Sequence, residues 1–395
     1  MPRGVDDLDV AGKRVLLRVD FNVPVLAGGA VADDTRIRAA LPTIRSLLDR
    51  GATLVIVSHF GRPKGRTDDR YRLAKVAERL AQLLGRPVRY EATSGPASAE
   101  QQAFVAAAPA GSVTLVENSR FDAREEANDP GLARVLASYA DVYVNDAFGA
   151  AHRAHATTEA VARLLPNAAG RLLTAELAAL SRLVEAPERP FAVVLGGAKV
   201  SDKLAVIERL LRLADTVVIG GAMAYTFVAA QGGAVGRSLV EPDMYGVARD
   251  VMEQAEARGV ALLLPADSVC AAAIQAGVAT SVHPSGAIPA DLMGLDVGPR
   301  AVAAFEAALA PAKTVFWNGP LGVFETPPFD AGTRAVALAI ARLNAFTVVG
   351  GGDSIAALNA VGVADRVSHV STGGGASLEY LEGRALPGVA ALEGA

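Results

Sequence analysis

Short apolar, β-branched runs alternate along the chain with longer stretches whose apolar positions recur every three or four residues. Segments 14–19, 53–57, 112–116 and 141–145 are of the first kind. Segment 35–50, with Ile37, Leu41, Ile44, Leu47 and Leu48, is of the second. A continuous apolar run predicts a buried strand, and a period near 3.6 predicts a helix. Buried strands separated by helices predict a parallel sheet covered on both faces. The pattern returns at 191–195, 216–219, 261–264, 314–317, 346–349 and 367–370. No repeat of solenoid period links the halves. The fold class expected is therefore α/β, with two doubly wound, Rossmann-like parallel-sheet domains.

Between them, 172–184 carries Leu172, Leu173, Leu177, Leu180, Leu183 and Val184 on one side and stops near Pro187 and Pro190. Proline there fits a helix stop, so this segment is expected to be the hinge helix. The organisation expected is an N-terminal domain over 1–171, helix and linker over 172–189, and a C-terminal domain over 190–376. The tail, 377–395, is too short to fold alone and is expected to pack back on the N-terminal domain.

Composition narrows the function. A chain of 395 residues exceeds one compact core, and 51% hydrophobic with 20% charged residues describes a soluble globular protein. A net charge of −4 provides no positive field for nucleic acid, so any anion site must be a local cluster. Cys270 is the sole cysteine, which rules out an intramolecular disulfide and suggests a reducing compartment. Its neighbours Val269, Ala271 and Ala272 suggest a buried, inert thiol on a helix. Segment 1–10 lacks an apolar signal core, and no apolar run reaches the ~18 residues of a membrane span. The expectation is a cytoplasmic protein.

The chemistry should lie beyond the carboxyl ends of the strands, where open parallel sheets bind ligands. In the first half these positions carry Asp20 and Asn22, His59 and Arg62, Arg120, and Arg153 between His152 and His155, while Arg36 opens a helix behind Asp33 and Asp34. Arg36, Arg62, Arg120 and Arg153 with His59 make a cluster for a small, multiply charged anion, since guanidinium pairs bidentately with phosphate or carboxylate. His152 and His155 lack an evident third ligand and are expected to form hydrogen bonds rather than a metal site.

In the second half two strands open into glycine turns and then helix starts: Gly350-Gly351-Gly352-Asp353-Ser354 and Ser371-Thr372-Gly373-Gly374-Gly375. Unpaired N–H groups at a helix start attract phosphate, and glycine lets it approach. Asp353 stands where a magnesium–phosphate complex could sit. The turn 196–203 holds two of only six lysines, Lys199 and Lys203. Ser201 or Asp202 is expected to cap the following helix, with Lys203 in its first turn. Gly220-Gly221-Ala222 could border an adenine, and Glu325, after Asn318, could bond ribose hydroxyls. The chain lacks Gly-x-x-x-x-Gly-Lys-Ser/Thr, Gly-x-Gly-x-x-Gly and Gly-x-Ser-x-Gly.

Segments 12–24, 59–63, 145–155, 196–203, 317–325, 351–354 and 371–379, in this order, resemble phosphoglycerate kinase. The resemblance implies that Asp20, Asn22, Arg36, His59, Arg62, Arg120 and Arg153 bind 3-phosphoglycerate. It implies that Gly197, Lys203, Gly221, Asn318, Glu325, Gly351, Gly352, Asp353 and Ser354 hold the adenine nucleotide, with Asp353 on Mg2+. Arg36, Lys199, Lys203, Gly373 and Gly374 would act at the transferring phosphoryl group. The activity implied is reversible transfer between 1,3-bisphosphoglycerate and ADP by a hinge-bending, monomeric kinase with small-molecule substrates and no nucleic-acid or membrane partner. Phe60 and Ala222 depart from the leucine and glycine many members carry, and only nucleotide affinity is touched. A dehydrogenase would need the missing dinucleotide fingerprint, and a non-catalytic binding protein would not need Lys199, Lys203 and Asp353 together.

Overall fold

The computed structural model describes residues 1–393. It contains two compact units, Met1–Ala178 with the segment from Ala385 onward, and Ala179–Arg384. In the first unit, strands β1 (Arg14–Arg18), β2 (Thr53–Val57), β3 (Val113–Leu115), β4 (Val142–Asn145) and β5 (Asn167–Ala169) form one parallel sheet in the order β3-β2-β1-β4-β5. Every residue of β2 is buried, as expected of a strand covered on both faces. The covering helices are α1 (Thr35–Asp49), α2 (Ala74–Leu84), α3 (Ala99–Ala106), α4 (Pro130–Ala137) and the start of α5 (Arg171–Glu185). Helix α1 turns Ile37, Leu41, Ile44 and Leu47 into a core with Val15, Leu17, Leu54 and Ile56.

Of the two aspartates before helix α1, only Asp33 bonds a backbone amide of its first turn through its carboxylate. Asp33 accepts the Thr35 amide at 2.8 Å, whereas Asp34, at the cap position, gives its carboxylate to Arg38 and Arg79 at 2.8 and 2.6 Å. Strand β5 was not expected, because Asn-Ala-Ala carries no β-branched residue. Its register against Tyr143, Val144 and Asn145 makes it a strand, so pairing overrides propensity there. The buried Asp146 accepts the amides of Leu172 and Leu173 at 2.9 and 3.2 Å and so anchors the first turn of α5.

The second unit has a six-stranded parallel sheet. Its strands are β6 (Phe191–Leu195), β7 (Thr216–Ile219), β9 (Ala261–Leu263), β14 (Thr314–Asn318), β15 (Phe346–Gly350) and β16 (His369–Ser371), ordered β16-β15-β14-β6-β7-β9. Beside it lie β8 (Ala234–Val235) paired with β12 (Ala287–Ile288), and an antiparallel sheet of β10 (Asp267–Ala271), β11 (Ser281–Pro284) and β13 (Met293–Val297). Helices α6 (Leu204–Leu210), α7 (Met223–Ala230), α8 (Tyr245–Ala257), α9 (Pro299–Leu309), α10 (Ala331–Arg342), α11 (Gly352–Ala360) and α12 (Gly375–Leu381) complete this unit, and α13 (Pro387–Glu393) belongs to the first.

The helical setting expected for Cys270 is wrong. It lies on β10 between two antiparallel neighbours, and burial pushes its thiol up to about 11. Alanine neighbours favour a helix locally, but ladder bonds on both sides outweigh that preference. The chain passes between units within α5 and again after Arg384. Residues 377–384 are packed in the second unit because α12 rises directly from the end of β16, where the Ser371 and Ser377 hydroxyls are 2.6 Å apart. From Ala385 the chain packs in the first unit, where the Gly388 amide donates to the Ala151 carbonyl at 2.8 Å. Among the described residues no helix is long and apolar enough to cross a membrane.

In each sheet one central strand has neighbours that run off in opposite directions: β1 lies between β2 and β4, and β6 between β14 and β7. Crevices open at the carboxyl ends of strands at such switch points.

Trp317, the only tryptophan, is fully buried beside Phe305 in the core of the second unit, so its fluorescence reports that unit alone. Phe305→Ala is expected to lower the unfolding free energy read by Trp317 fluorescence in urea by about 3–5 kcal/mol.

Candidate active site

At the first switch point, Asp20 follows β1. It accepts from Arg36 Nη1 at 2.7 Å and from the Asn22 amide at 3.1 Å, and His59 Nε2 lies 4.0 Å from its Oδ1. Asn22 Oδ1 accepts the Gly61 amide at 2.9 Å, and Arg120 donates to the Gly61 carbonyl at 2.7 Å. The turn after β2 is thereby tied to the segments after β1 and β3. Gly61 has a φ of 60°, and any side chain there would collide with the Tyr71 ring.

Arg120 is buried, and its Nε lies 3.2 Å from Glu126 without an aligned hydrogen bond. Burial, then repulsion from Arg153 and Arg18 against the attraction of Glu126, lowers its proton affinity. Arg153 is half-buried within electrostatic reach of both His59 and Arg120, whereas Arg62 is exposed on its turn. A cluster with desolvated cations and a donor lacking a partner has the chemistry of an anion site. Two buried ionisable residues passed over in the sequence, Arg18 and Glu125, lie among these groups. Arg18 was legible as a charge closing an apolar strand, but Glu125 offered no signal.

At the second switch point β6 and β14 are followed by Gly196 and Gly319, which approach so closely that a side chain on either would strike the other turn's backbone. Lys203 Nζ donates to the carbonyls of Gly196 and Asn318 at 2.6 and 2.9 Å and to Asn318 Oδ1 at 2.7 Å. Burial pulls Lys203 down to about 8, so it is still charged at neutral pH, with three acceptors for three donors. The capping expected here is corrected: α6 begins at Leu204 with Lys203 itself at the cap position. Ser201 turns away to Glu241, which takes its hydroxyl at 2.5 Å and the amides of Val200 and Ser201 at 2.6 and 3.2 Å. Glu241 was not anticipated, being distant in sequence. Lys199 is exposed on this turn.

A cavity of about 400 Å³ opens here, lined by Gly197, Gly221, Ala222, Glu325 and Asp353, with apolar walls from Leu239, Ile274 and Met293. Gly351, at φ 90°, caps α11, whose first residue is the exposed Gly352. Ser354 Oγ accepts the Gly319 amide at 2.6 Å, fixing α11 to the end of β14. Asn318 Nδ2 is buried without a partner, and a Cβ on Gly351 would lie 3.0 Å from it. Gly374 caps α12 with a φ of 52°, while the Gly373 amide is 3.3 Å from Ser371 Oγ. Asp353 is an exposed carboxylate in the first turn of α11. Among the described residues no cluster of three or more His, Cys, Asp or Glu side chains could cage a metal. One carboxylate lining this cavity fits Mg2+, which keeps water and substrate phosphates as most of its ligands.

His59 carries a direct test. Burial, reinforced by Arg18, Arg120 and Arg153, outweighs the attraction of Asp20 and holds its pKa well below 6.5. The unfolded chain binds a proton near 6.5 that the folded ring refuses, so this group's contribution to stability falls as pH drops below 6.5. NMR is expected to show no His59 titration between about pH 6 and 8, where an ordinary histidine titrates.

The family model for phosphoglycerate kinase matches residues 5–384. The phosphoglycerate kinase of Roseiflexus castenholzii is 54% identical over 394 residues, 99% of each chain. That of Thermus thermophilus is 58% identical over 389 residues, 98% of this chain and 99% of its own. The Coxiella burnetii phosphoglycerate kinase structure has a TM-score of 0.89 at 39% identity over 99% of both chains. The Pyrococcus horikoshii structure has a TM-score of 0.86 at 32% identity, over 99% of this chain and 98% of its own. With both crevices at the switch points and both glycine turns accounted for, the chain belongs to the phosphoglycerate kinase family.

Proposed function

We propose that this chain catalyses its family's reaction, reversible phosphoryl transfer from 1,3-bisphosphoglycerate to ADP, with the acid bound in the first unit and the nucleotide in the second. The observation that carries the nucleotide assignment is the cavity lined by Gly197, Gly221, Ala222, Glu325 and Asp353, together with the buried, unpartnered Asn318 Nδ2 beside Gly351, two residues before Asp353. An acceptor on the nucleotide would satisfy it.

In the forward direction a β-phosphate oxygen of ADP attacks the acyl phosphate. The new P–O bond forms as the P–O bond to the carboxyl carbon's oxygen breaks, and that oxygen leaves as carboxylate. Neither the attacking phosphate oxygen nor, in reverse, the carboxylate carries a proton to be removed, so no general base is required. The protein's work is alignment and charge. Asp20, Asn22, Arg36, His59, Arg62, Arg120 and Arg153 hold the phosphoglycerate, with Asp20 fixing Arg36. Gly197, Gly221 and Glu325 border the nucleoside, while Gly351, Gly352 and Ser354 present the start of α11 to its phosphates. Lys203 supports the floor through Asn318. Lys199, Arg36 and the turn at Gly373 and Gly374 neutralise the moving phosphoryl group. Asp353 would hold Mg2+, which supplies charge neutralisation on the nucleotide phosphates. The chain acts as a monomer on small-molecule substrates.

The test is ATP formation from 1,3-bisphosphoglycerate and ADP, expected to require Mg2+ and to stop on chelation. A folded protein with no turnover overturns the proposal. Lys199→Ala is expected to lower kcat by roughly two or more orders of magnitude with little change in either KM, as for loss of a preorganised transition-state charge. A variant with intact kcat and raised KM would reassign Lys199 to ground-state binding.

A further inference from the structure

Beneath the acid-binding residues, four segments that are remote in sequence meet through one buried chain of hydrogen bonds. Arg18, on β1, is completely buried, and its guanidinium donates to three acceptors: Thr157 Oγ1 at 2.8 Å from Nε, the Val19 carbonyl, and His59 Nδ1 at 3.1 Å. Thr157 follows β4 and the Arg153 loop. Its hydroxyl donates to Glu125 Oε1 at 2.5 Å, and its amide donates to Oε2 at 3.0 Å. Glu125 follows β3 and Arg120, is completely buried, and lies within 3.4 Å of the Ser119 hydroxyl. The Ala156 amide bonds the Glu125 carbonyl at 3.0 Å, and the Thr158 hydroxyl bonds the Arg153 carbonyl at 2.8 Å. The ends of β1, β2, β3 and β4 are therefore joined in one network.

Direction along this network is fixed by chemistry. Guanidinium nitrogens can only donate, so His59 Nδ1 must accept and the ring proton must sit on Nε2. A hydroxyl has one proton and two lone pairs. Because Thr157 Oγ1 accepts from Arg18, its own proton goes to Glu125. Each member thus leaves the next a single role.

We infer that the Thr157 hydroxyl is a positioning group for the acid-binding half of the site: held by Glu125, it seats Arg18 so that Arg18 locks His59 in the Nε2–H tautomer facing Asp20. This inference rests on the reading of His59 as a ligand of phosphoglycerate. Thr157 itself touches no substrate. Without its hydroxyl, Arg18 Nε loses its acceptor and the guanidinium is free to turn, so Nδ1 is no longer held as an acceptor and the ring can exchange tautomers. A wrong tautomer presents a lone pair where the substrate's acceptor needs a proton.

The test compares Thr157→Val, which keeps the shape and deletes the hydroxyl, with Thr157→Ser, which keeps the hydroxyl. With only five histidines in the chain, ring nitrogen shifts of His59 are readily resolved by NMR. Thr157→Ser is expected to match the parent protein in ring shifts and in KM. Thr157→Val is expected to move both His59 ring nitrogens towards a mixed-tautomer pattern. It should raise KM for 3-phosphoglycerate about tenfold, the scale of one hydrogen bond to a charged group, with KM for ATP unchanged. Glu125→Gln keeps the volume, cannot accept both Thr157 protons, and is expected to shift the same two readouts in the same direction; it decides the matter if the valine variant does not fold. Unchanged His59 nitrogen shifts in these variants overturn the inference, as does an equal rise in both KM values. Mixed tautomers with an unchanged 3-phosphoglycerate KM uphold the network and overturn instead the assignment of His59 to the substrate.

Discussion

A guanidinium with no exposed surface is the constraint around which the first unit's strand ends are arranged. Removing a cation from water costs several kcal/mol, and the cost is met only when its donors find acceptors and opposite charge stands nearby. Arg18 meets the first with the neighbouring Val19 carbonyl and with Thr157 and His59 from other strand ends, and the second with Asp20 and Glu125 within electrostatic reach. The effect reaches the next charge outward. Burial works against ionisation of Asp20, but the groups around it, with the Asn22 amide, outweigh it and hold the carboxyl below its ordinary range. Asp20 can then stay ionised and hold Arg36 at 2.7 Å. The outermost cations, Arg62 and Arg153, stand at a surface whose inner charges are already matched.

The second unit solves the same problem with an ammonium. Lys203 is hydrogen-bonded to carbonyl oxygens, with Asp353 and Asp202 acting on it without a hydrogen bond. The N-terminus of α11, with its unpaired amides, opens beside the junction of β6 and β14, held there by the Ser354 bond to Gly319. Glycine is required at that junction for steric reasons. Gly196 and Gly319 let two strand ends approach within a distance that no Cβ would permit, and this approach brings the acceptors of Lys203 together.

Much of this was readable in the sequence because parallel sheets confine ligands to one edge. Marking the β-rich runs singles out the residues after each run as candidates, and the structure places Asp20, His59, Arg120, Asn318 and Asp353 at or beyond the carboxyl ends of strands. The readings that failed depended on partners distant in the chain. Ser201 has the right chemistry for a helix cap, yet Glu241, on another segment, takes its hydroxyl. Cys270 sits among alanines that favour a helix, yet β11 and β13 hold it in a strand. Asn167–Ala169 has no strand propensity and is one by pairing alone. Glu125 resembles any surface glutamate until the Thr157 segment folds over it. Local chemistry is legible in a single sequence, but competition for a donor or acceptor is decided in three dimensions.

The unmet donors explain how such a site can be both stable and receptive. Among the buried donors without a hydrogen-bond partner, Asn318 Nδ2 lies beside Gly351, and Arg120 Nε has only an unaligned approach of 3.2 Å to Glu126. An orphaned buried donor costs about 1–3 kcal/mol, a penalty that a ligand's oxygen removes on binding. That release is available to substrate and transition state alike, so it favours occupancy rather than rate. Acceleration must come from groups whose interaction strengthens as charge moves during transfer. Lys203, already bonded to three protein oxygens, has little left to give at that moment. In the proposed reaction that part falls to Lys199, exposed four residues earlier on the same glycine turn. The proposed division of work between the two lysines follows that difference: Lys203 is desolvated and bonded within the protein, and Lys199 is exposed.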